Sequence, residues 1–373
     1  MNFEFGQPVD KKLFVNRTSE IERLQRNIDA KLNTVLISPR RWGKSSLVQQ
    51  VDHLNTNPKQ VFVVLDLFKV RSEEQFYEAY SNAIIKATNS KLEEFMTAAK
   101  TWLAQYSPAI KLNPTGESEV ELSLARSKNK LDYSAILDLA ENIAQSKGIQ
   151  LIVCLDEFQN ISTFDDPLAF QKAARAHWQQ HKNVSYLLYG SKRHMMMDLF
   201  ESKSMPFYRF GDTIYLTKIG AVHFVPFIKK VFSSSGKKIP KNIAHKLVET
   251  MEEHPYYVQQ LSFILWHKVY SGKVTESDFE KALNELIKTN AIFYSKEFDD
   301  LPDTQIRCLK MIADGHENGF TKGDRMQEYG FKSSAHVSTA MNALHKKELI
   351  DSLDSKTEFI DPVFKLWFQK TIT

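Results

Sequence analysis

Directly after a short apolar run, Thr34-Val35-Leu36-Ile37, the chain reads Ser38-Pro39-Arg40-Arg41-Trp42-Gly43-Lys44-Ser45-Ser46, then Leu47, Val48 and Val51 at helical spacing. A turn that leaves a buried strand and opens a helix aims a row of backbone N–H groups at one point, which suits an anion. Gly43 lets the chain approach that anion closely, Lys44 offsets charge on the outer phosphates, and the Ser45 hydroxyl is a ligand for Mg²⁺. The pattern is that of a phosphate-binding loop with Ser38 in place of the usual first glycine. Ser38 precedes a proline, which biases it toward the extended backbone that a residue leaving a strand needs. A Gly-Lys-Ser tripeptide alone is weak, and its place between strand and helix is what makes the match specific.

A second apolar run, residues 149–155, ends in Asp156-Glu157-Phe158-Gln159. Two acids at the carboxyl end of a buried strand lie where doubly wound sheets bind ligands. Asp156 is expected to hold Mg²⁺, mostly through water, and Glu157 to polarise the attacking water as general base. An aspartate there also serves as a helix cap, so the pair draws its meaning from the loop upstream. The implied cofactors are ATP and Mg²⁺.

These residues need a sheet to carry them. Strand-like runs at 34–37, 60–67, 149–155, 185–189 and 213–216 alternate with helical stretches, which predicts a parallel sheet covered on both faces. Ser19 and Glu22 have the spacing of a capping box for a first helix carrying Ile21, Leu24, Ile28 and Leu32. The long connection before the third strand holds a helix with Phe76, Tyr80 and Ile84 on one stripe. Beyond it, an insertion at about 90–130 predicts a hairpin from Ile110 and Leu112 to Val120, Leu122 and Leu124 around the turn Asn113-Pro114-Thr115-Gly116. Residues 219–295 read as wholly helical, with Thr275 capping the last helix. Residues 296–373 read as three helices, two short strands and a final helix opened by Asp361-Pro362, which is the pattern of a winged helix. The expected parts are therefore a core at 1–218, a lid at 219–295 and a winged helix at 296–373. Phe364, Trp367 and Phe368 form a stripe on the final helix that is expected to pack on the winged helix itself or on core or lid.

The chain resembles the archaeal-type ATPases of the AAA+ superfamily, close to the STAND class of signalling ATPases, which also occur in bacteria. The matching residues are Phe14-Val15-Asn16-Arg17 with Glu20, the loop from Pro39 to Ser46, and Leu155-Asp156-Glu157-Phe158-Gln159. They continue through Tyr189-Gly190-Ser191, Pro206-Phe207-Tyr208-Arg209, His254-Pro255-Tyr256-Tyr257 and Phe359-Ile360-Asp361-Pro362 with Trp367. The resemblance implies that Ser191 senses the terminal phosphate and that Arg209 lends charge to it, in cis or to a neighbour. It also implies that His254-Pro255 stands where this class carries a Gly-x-Pro element contacting nucleotide, with Glu253 in place of the glycine.

Composition narrows the partners. The chain has 373 residues, 42% of them hydrophobic, with 49 basic and 45 acidic side chains for a net charge of +4. That balance does not announce a nucleic-acid binder. In 296–373 acids outnumber bases, and Asp351, Asp354 and Glu358 fall on the expected wing, where DNA phosphates want cations. DNA is thus the less favoured partner, and a protein partner or self-association through core and winged helix is preferred. No apolar run is long enough for a membrane span and no secretory pattern opens the chain, so a cytoplasmic location is expected. Cys154 and Cys308 read as reduced core residues, and His177, His181 and His194 as surface or sheet-top residues without metal spacing.

The expectation is an ATPase of α/β, doubly wound AAA+ type that binds MgATP between core and lid and hydrolyses it slowly as a conformational switch. Two alternatives stay open. One is a DNA-binding regulator or mobile-element helper whose ATP site controls assembly; the other is a nucleotide-binding scaffold without turnover.

Overall fold

The computed structural model describes residues 3–6, 13–89, 111–114, 120–123, 133–270, 272–353 and 355–372. They fall into two compact units. One consists of Arg17–Arg40 and Lys44–Leu216, the other of Met1–Asn16, Arg41–Gly43 and Thr217–Thr373.

The first unit opens with α1 (Thr18–Asp29). Its start is set by Arg17, which is buried, takes left-handed backbone at φ 73° and donates to Glu20 at 2.9 Å. The expected Ser19–Glu22 capping box is not formed, because Ser19 already lies inside the first turn and its hydroxyl donates to Glu20. Then come β1 (Thr34–Ile37), buried at every position, α2 (Lys44–Leu54) and β2 (Gln60–Asp66). In α3 (Glu73–Thr88), Ser72 caps the first turn and Phe76, Tyr80 and Ile84 are buried together. The inserted hairpin is present as β3 (Lys111–Pro114) and β4 (Val120–Ser123), antiparallel, with Leu112 opposite Leu122. Asn113 and Pro114, expected in its turn, extend the first strand instead; Thr115, Gly116, Ile110 and Leu124 lie outside the described residues. The unit continues through α4 (Ser134–Leu137), α5 (Leu139–Lys147), β5 (Gln150–Asp156), α6 (Pro167–Trp178), β6 (Val184–Gly190), α7 (Arg193–Glu201) and β7 (Asp212–Tyr215).

These strands form one parallel sheet in the order β2-β5-β6-β1-β7. β5 and β6 are buried along almost their whole length, as near-continuous apolar strands under helices on both faces must be. β1 sits between β6 and β7, while β2, which follows it in sequence, lies at the far edge. The direction of winding therefore reverses beside β1, and such switch points are where α/β sheets bind ligands, at the carboxyl ends of the strands. His177 and His181 do not stand free on the surface. Both meet Asp138 Oδ1, at 2.8 and 3.0 Å, and the second nitrogen of His181 lies 3.0 Å from the Tyr186 hydroxyl. Cys154 and Cys308 are free and buried, and burial pushes both thiols up, that of Cys308 to about 12.

The second unit contains α8 (Ala221–Ser234), β8 (Lys237–Lys238), α9 (Lys241–Thr250), α10 (Pro255–Lys268), β9 (Gly272–Lys273) and α11 (Glu276–Asp299). Thr275 caps α11 in a reciprocal box with Asp278. The two-residue parallel pair β8–β9 has no counterpart in the sequence reading. After α12 (Asp303–Ala313), α13 (Gly323–Glu328) and α14 (Ser334–Lys346) come the antiparallel strands β10 (Ile350–Leu353) and β11 (Lys356–Phe359), then α15 (Pro362–Ile372). α11 runs on past residue 296, and its last turns cover the aromatic stripe of α15. Tyr294 lies 5.3 Å from Phe364 and 5.9 Å from Trp367, and Phe298 lies 6.0 Å from Phe368. Among the described residues no helix is long and apolar enough to cross a membrane.

Candidate active site

The carboxyl ends of three adjacent strands bring the predicted residues of the first unit together. Ile37 pairs with Gly190 in register, so Ser38 leaves β1 beside Ser191 leaving β6, and β5 ends next to them at Asp156. Ser38 is 1% exposed and Lys44 6%, so the ammonium is held inside the loop. Lys44 Nζ donates to Ser38 O at 3.0 Å, Pro39 O at 2.9 Å and Ser38 Oγ at 3.3 Å. The loop's own oxygens thus gather round the cation as phosphate oxygens would. Gly43 has φ 90°, a backbone that costs glycine little, while Arg41 at φ 64° adopts the left-handed region against its preference.

Ser45 Oγ donates to Asp156 Oδ2 at 2.9 Å, and Asp156 Oδ1 accepts from the Glu157 N–H at 2.8 Å. Burial pushes the Asp156 carboxyl up, with the Ser45 hydroxyl and the Glu157 amide acting in the other direction. An alcohol and a half-buried carboxylate side by side are hard oxygen donors of the kind Mg²⁺ takes, and a dication beside them would favour the ionised carboxylate. The donor set therefore fits a Mg²⁺-bound polyphosphate: Ser45 and Asp156 would hold the metal, and Lys44 with the loop amides would hold the phosphates.

Glu157 sits at φ 52°, turning its side chain away from the strand direction. Its Oε2 accepts from Ser191 Oγ at 2.8 Å and from Gln159 Nε2 at 2.5 Å. Arg40 Nε reaches Ser191 Oγ at 3.3 Å, which joins the loop to the same network. Gln159 had no role in the sequence reading. It is 1% exposed and fixes the glutamate, and only its position two residues beyond Glu157 hinted at this.

In the second unit Trp42 and His254 meet edge to face at 6.1 Å, and His254 lies 4.9 Å from the Tyr257 ring. His254 is 2% exposed and Pro255 is the first residue of α10. Burial, then the nearby charges of Lys218 and Arg41, lower the imidazole pKa to about 3, so it is a neutral ring. Glu253 takes left-handed backbone at φ 60°, and its Oε1 accepts the Ala221 N–H at 2.9 Å. Arg209 is not gathered with Lys44, Asp156 and Glu157 by any hydrogen bond among the described residues. It is exposed and lies over the ring of Tyr208, 5.3 Å from its centre.

Residues 292–370 match the family described as "Probable winged helix domain". A search of curated proteins returns no match. Among solved structures, the Walker-type ATPase of Pyrococcus abyssi is similar at TM-score 0.68 and 17% identity, over 99% of this chain and 100% of that one. The ORC2 protein of Aeropyrum pernix, solved in ADPNP and ADP complexes, is similar at TM-score 0.54 and 13% identity over 100% of both chains. With a parallel sheet wound about a strand–loop–helix turn and a winged helix at its end, the chain shares its fold with the Walker-type ATPase of Pyrococcus abyssi.

Proposed function

We propose that this chain binds MgATP on the 38–46 loop and hydrolyses it slowly, as a conformational switch coupled to a protein partner or to self-association. The observation that carries the reading is the convergence of Lys44, Ser45, Asp156, Glu157 and Ser191 at the carboxyl ends of β1, β5 and β6. The likeness in fold to a protein solved with ADPNP and ADP supports an adenine nucleotide. When bound, the Mg²⁺ would supply charge neutralisation to the terminal phosphates. Lys44 adds a second positive charge and the loop amides fix the phosphates in place. Glu157 then takes the proton of a water as that water attacks. Its hydrogen bonds to Ser191 and Gln159 aim Oε2 at these partners, and a turn of the carboxylate toward the phosphates before attack would be a prior step consistent with slow turnover. Ser191, freed from Glu157, would be placed to sense the terminal phosphate, and Arg209 would have to be brought to it by rearrangement or by a neighbour.

Lys44→Ala should weaken MgATP binding tenfold or more in calorimetry, since one charge-assisted contact is worth about 1.5–3 kcal/mol. Glu157→Gln should bind MgATP as the parent does yet release phosphate far more slowly, because an amide can hold a water but is a poor base. Parent-like phosphate release from the second variant would refute the role given to Glu157.

A further inference from the structure

A chain of polar contacts inside the second unit runs from the loop to the start of the last helix. Arg41 Nη1 donates to Tyr257 Oη at 3.1 Å, and the guanidinium carbon lies 4.5 Å from the centre of the Tyr256 ring. Tyr257 donates in turn to Asp361 Oδ2, which also accepts from Tyr294 Oη at 2.9 Å. The other carboxylate oxygen of Asp361 caps α15, accepting the N–H groups of Val363 at 2.8 Å and Phe364 at 3.0 Å. Burial and the adjacent carboxylate push both phenols above their usual range, so Tyr257 and Tyr294 keep their protons and donate them to Asp361. That leaves the Tyr257 oxygen to accept from Arg41, and the direction of the chain is fixed.

The guanidinium therefore spends itself on a neutral phenol and an aromatic face. A phosphate oxygen is the stronger acceptor for it, because it carries negative charge that a neutral hydroxyl lacks and can take the guanidinium fork through two parallel hydrogen bonds. We propose that Tyr257 is a positioning residue that withholds Arg41 from phosphate and ties its release to the cap of the final helix, a step that rests on the 38–46 loop being the phosphate site. Phosphate on the loop draws Arg41 off Tyr257, Tyr257 keeps only its contacts with Asp361 and Tyr294, and the Asp361 carboxylate holds the first turn of α15 less firmly.

The test uses the full chain and MgATP. Tyr257→Phe keeps the ring and removes both links. It should bind MgATP about three- to tenfold more tightly, the scale of one hydrogen bond no longer competing. In hydrogen exchange of the parent, MgATP should speed exchange at Val363 and Phe364. In Tyr257→Phe these amides should exchange fast already and no longer answer to nucleotide. Tyr294→Phe removes a bond to Asp361 without touching Arg41, so it should speed the same exchange and leave MgATP affinity unchanged, an outcome that separates positioning from simple loosening. Arg41→Gln takes the guanidinium away from Tyr257 for good, so α15 should exchange about as fast as in the MgATP-bound parent and become indifferent to MgATP. Equal or weaker MgATP binding by Tyr257→Phe, or an undiminished response of α15 in either Tyr257→Phe or Arg41→Gln, would overturn the proposal while leaving the loop's role intact. A parent chain that bound no MgATP would instead overturn the proposed function, and this inference with it.

Discussion

At Gly190 a single methyl group would meet Gln159 Oε1 at 1.9 Å and Met196 Sδ at 2.9 Å. Gln159 is buried and its amide nitrogen holds Glu157, so it has little freedom to swing aside. Gly190→Ala should cost about 1–3 kcal/mol in urea unfolding, and an unchanged midpoint would show that the glutamine has room to move. His254 gives a second residue-level expectation. Its folded pKa of about 3 lies below the roughly 6.5 of an unfolded histidine, so the unfolded chain binds the extra proton first. The stability this contributes is complete above about pH 6.5 and is lost as the pH falls, by about 1.4 kcal/mol per unit, until the folded group titrates. Denaturant unfolding of the parent and of His254→Gln at pH 7 and 5.5 should show the steeper loss in the parent; equal slopes would acquit this residue. Lys44, Ser45, Asp156 and Glu157 were legible in sequence because loop and strand end place them by local geometry. Gln159 and Tyr257 were not, because their partners are set by packing between segments far apart in the chain.

Among the elements, the strands were the easiest to read. β1, β5 and β6 are mainly apolar runs whose few buried polar residues, Thr34, Gln150 and Ser185, fall near their amino ends, and the parallel sheet demands such runs. Helix starts were harder, because a cap depends on backbone angles that spacing does not reveal. Thr275 accepts an N–H group as its sequence context suggests, whereas α1 begins at a buried left-handed arginine. The start of α8 is odder still. No side chain of its own N-cap residue, Gly220, serves it; the cap comes from Glu253, well along the chain, at 2.9 Å from the Ala221 N–H. Glu253 also pays for its φ of 60°. Glu253→Ala should lose the cap and keep the strain, destabilising by about 1 kcal/mol. Glu253→Gly should lose the same cap but shed the backbone penalty of roughly 1 kcal/mol, ending near the parent. Thermal unfolding that ranked the glycine variant at or below the alanine variant would contradict this division of roles.

Over the whole molecule the question is what the winged helix meets. The outward side of α14 shows His336, Thr339, Asn342 and Lys346 and no acid, which is a face DNA would accept. Charge elsewhere in the domain argues against a strong complex. Lys356 is paired with Glu317 at 2.9 Å, Lys365 with Glu252 at 2.5 Å, and Lys347 donates to Asp300 O at 3.2 Å. Asp351 and Glu358 stand opposite one another on the two wing strands, and Glu358 is met by Lys218 at 2.8 Å. Cations already spent on such partners neutralise few phosphates, and each phosphate neutralised adds about −0.9 to the slope of log affinity against log salt. The exposed Lys229, Lys230, Lys238 and Lys241 lie on and around α8 and α9, outside the winged helix. The full-length chain should therefore bind duplex DNA no more tightly than about 10 µM near physiological salt, within the non-specific range, with a slope no steeper than about −2. Fluorescence anisotropy with labelled duplexes at several salt concentrations, with and without MgATP, measures both quantities. A submicromolar complex, or a steep slope that Lys346→Ala reduces, would promote the DNA-regulator alternative over the protein-coupled switch. The expected weak, salt-shallow binding leaves the acid-rich wing for contacts with protein, where charge of that sign meets no phosphate repulsion.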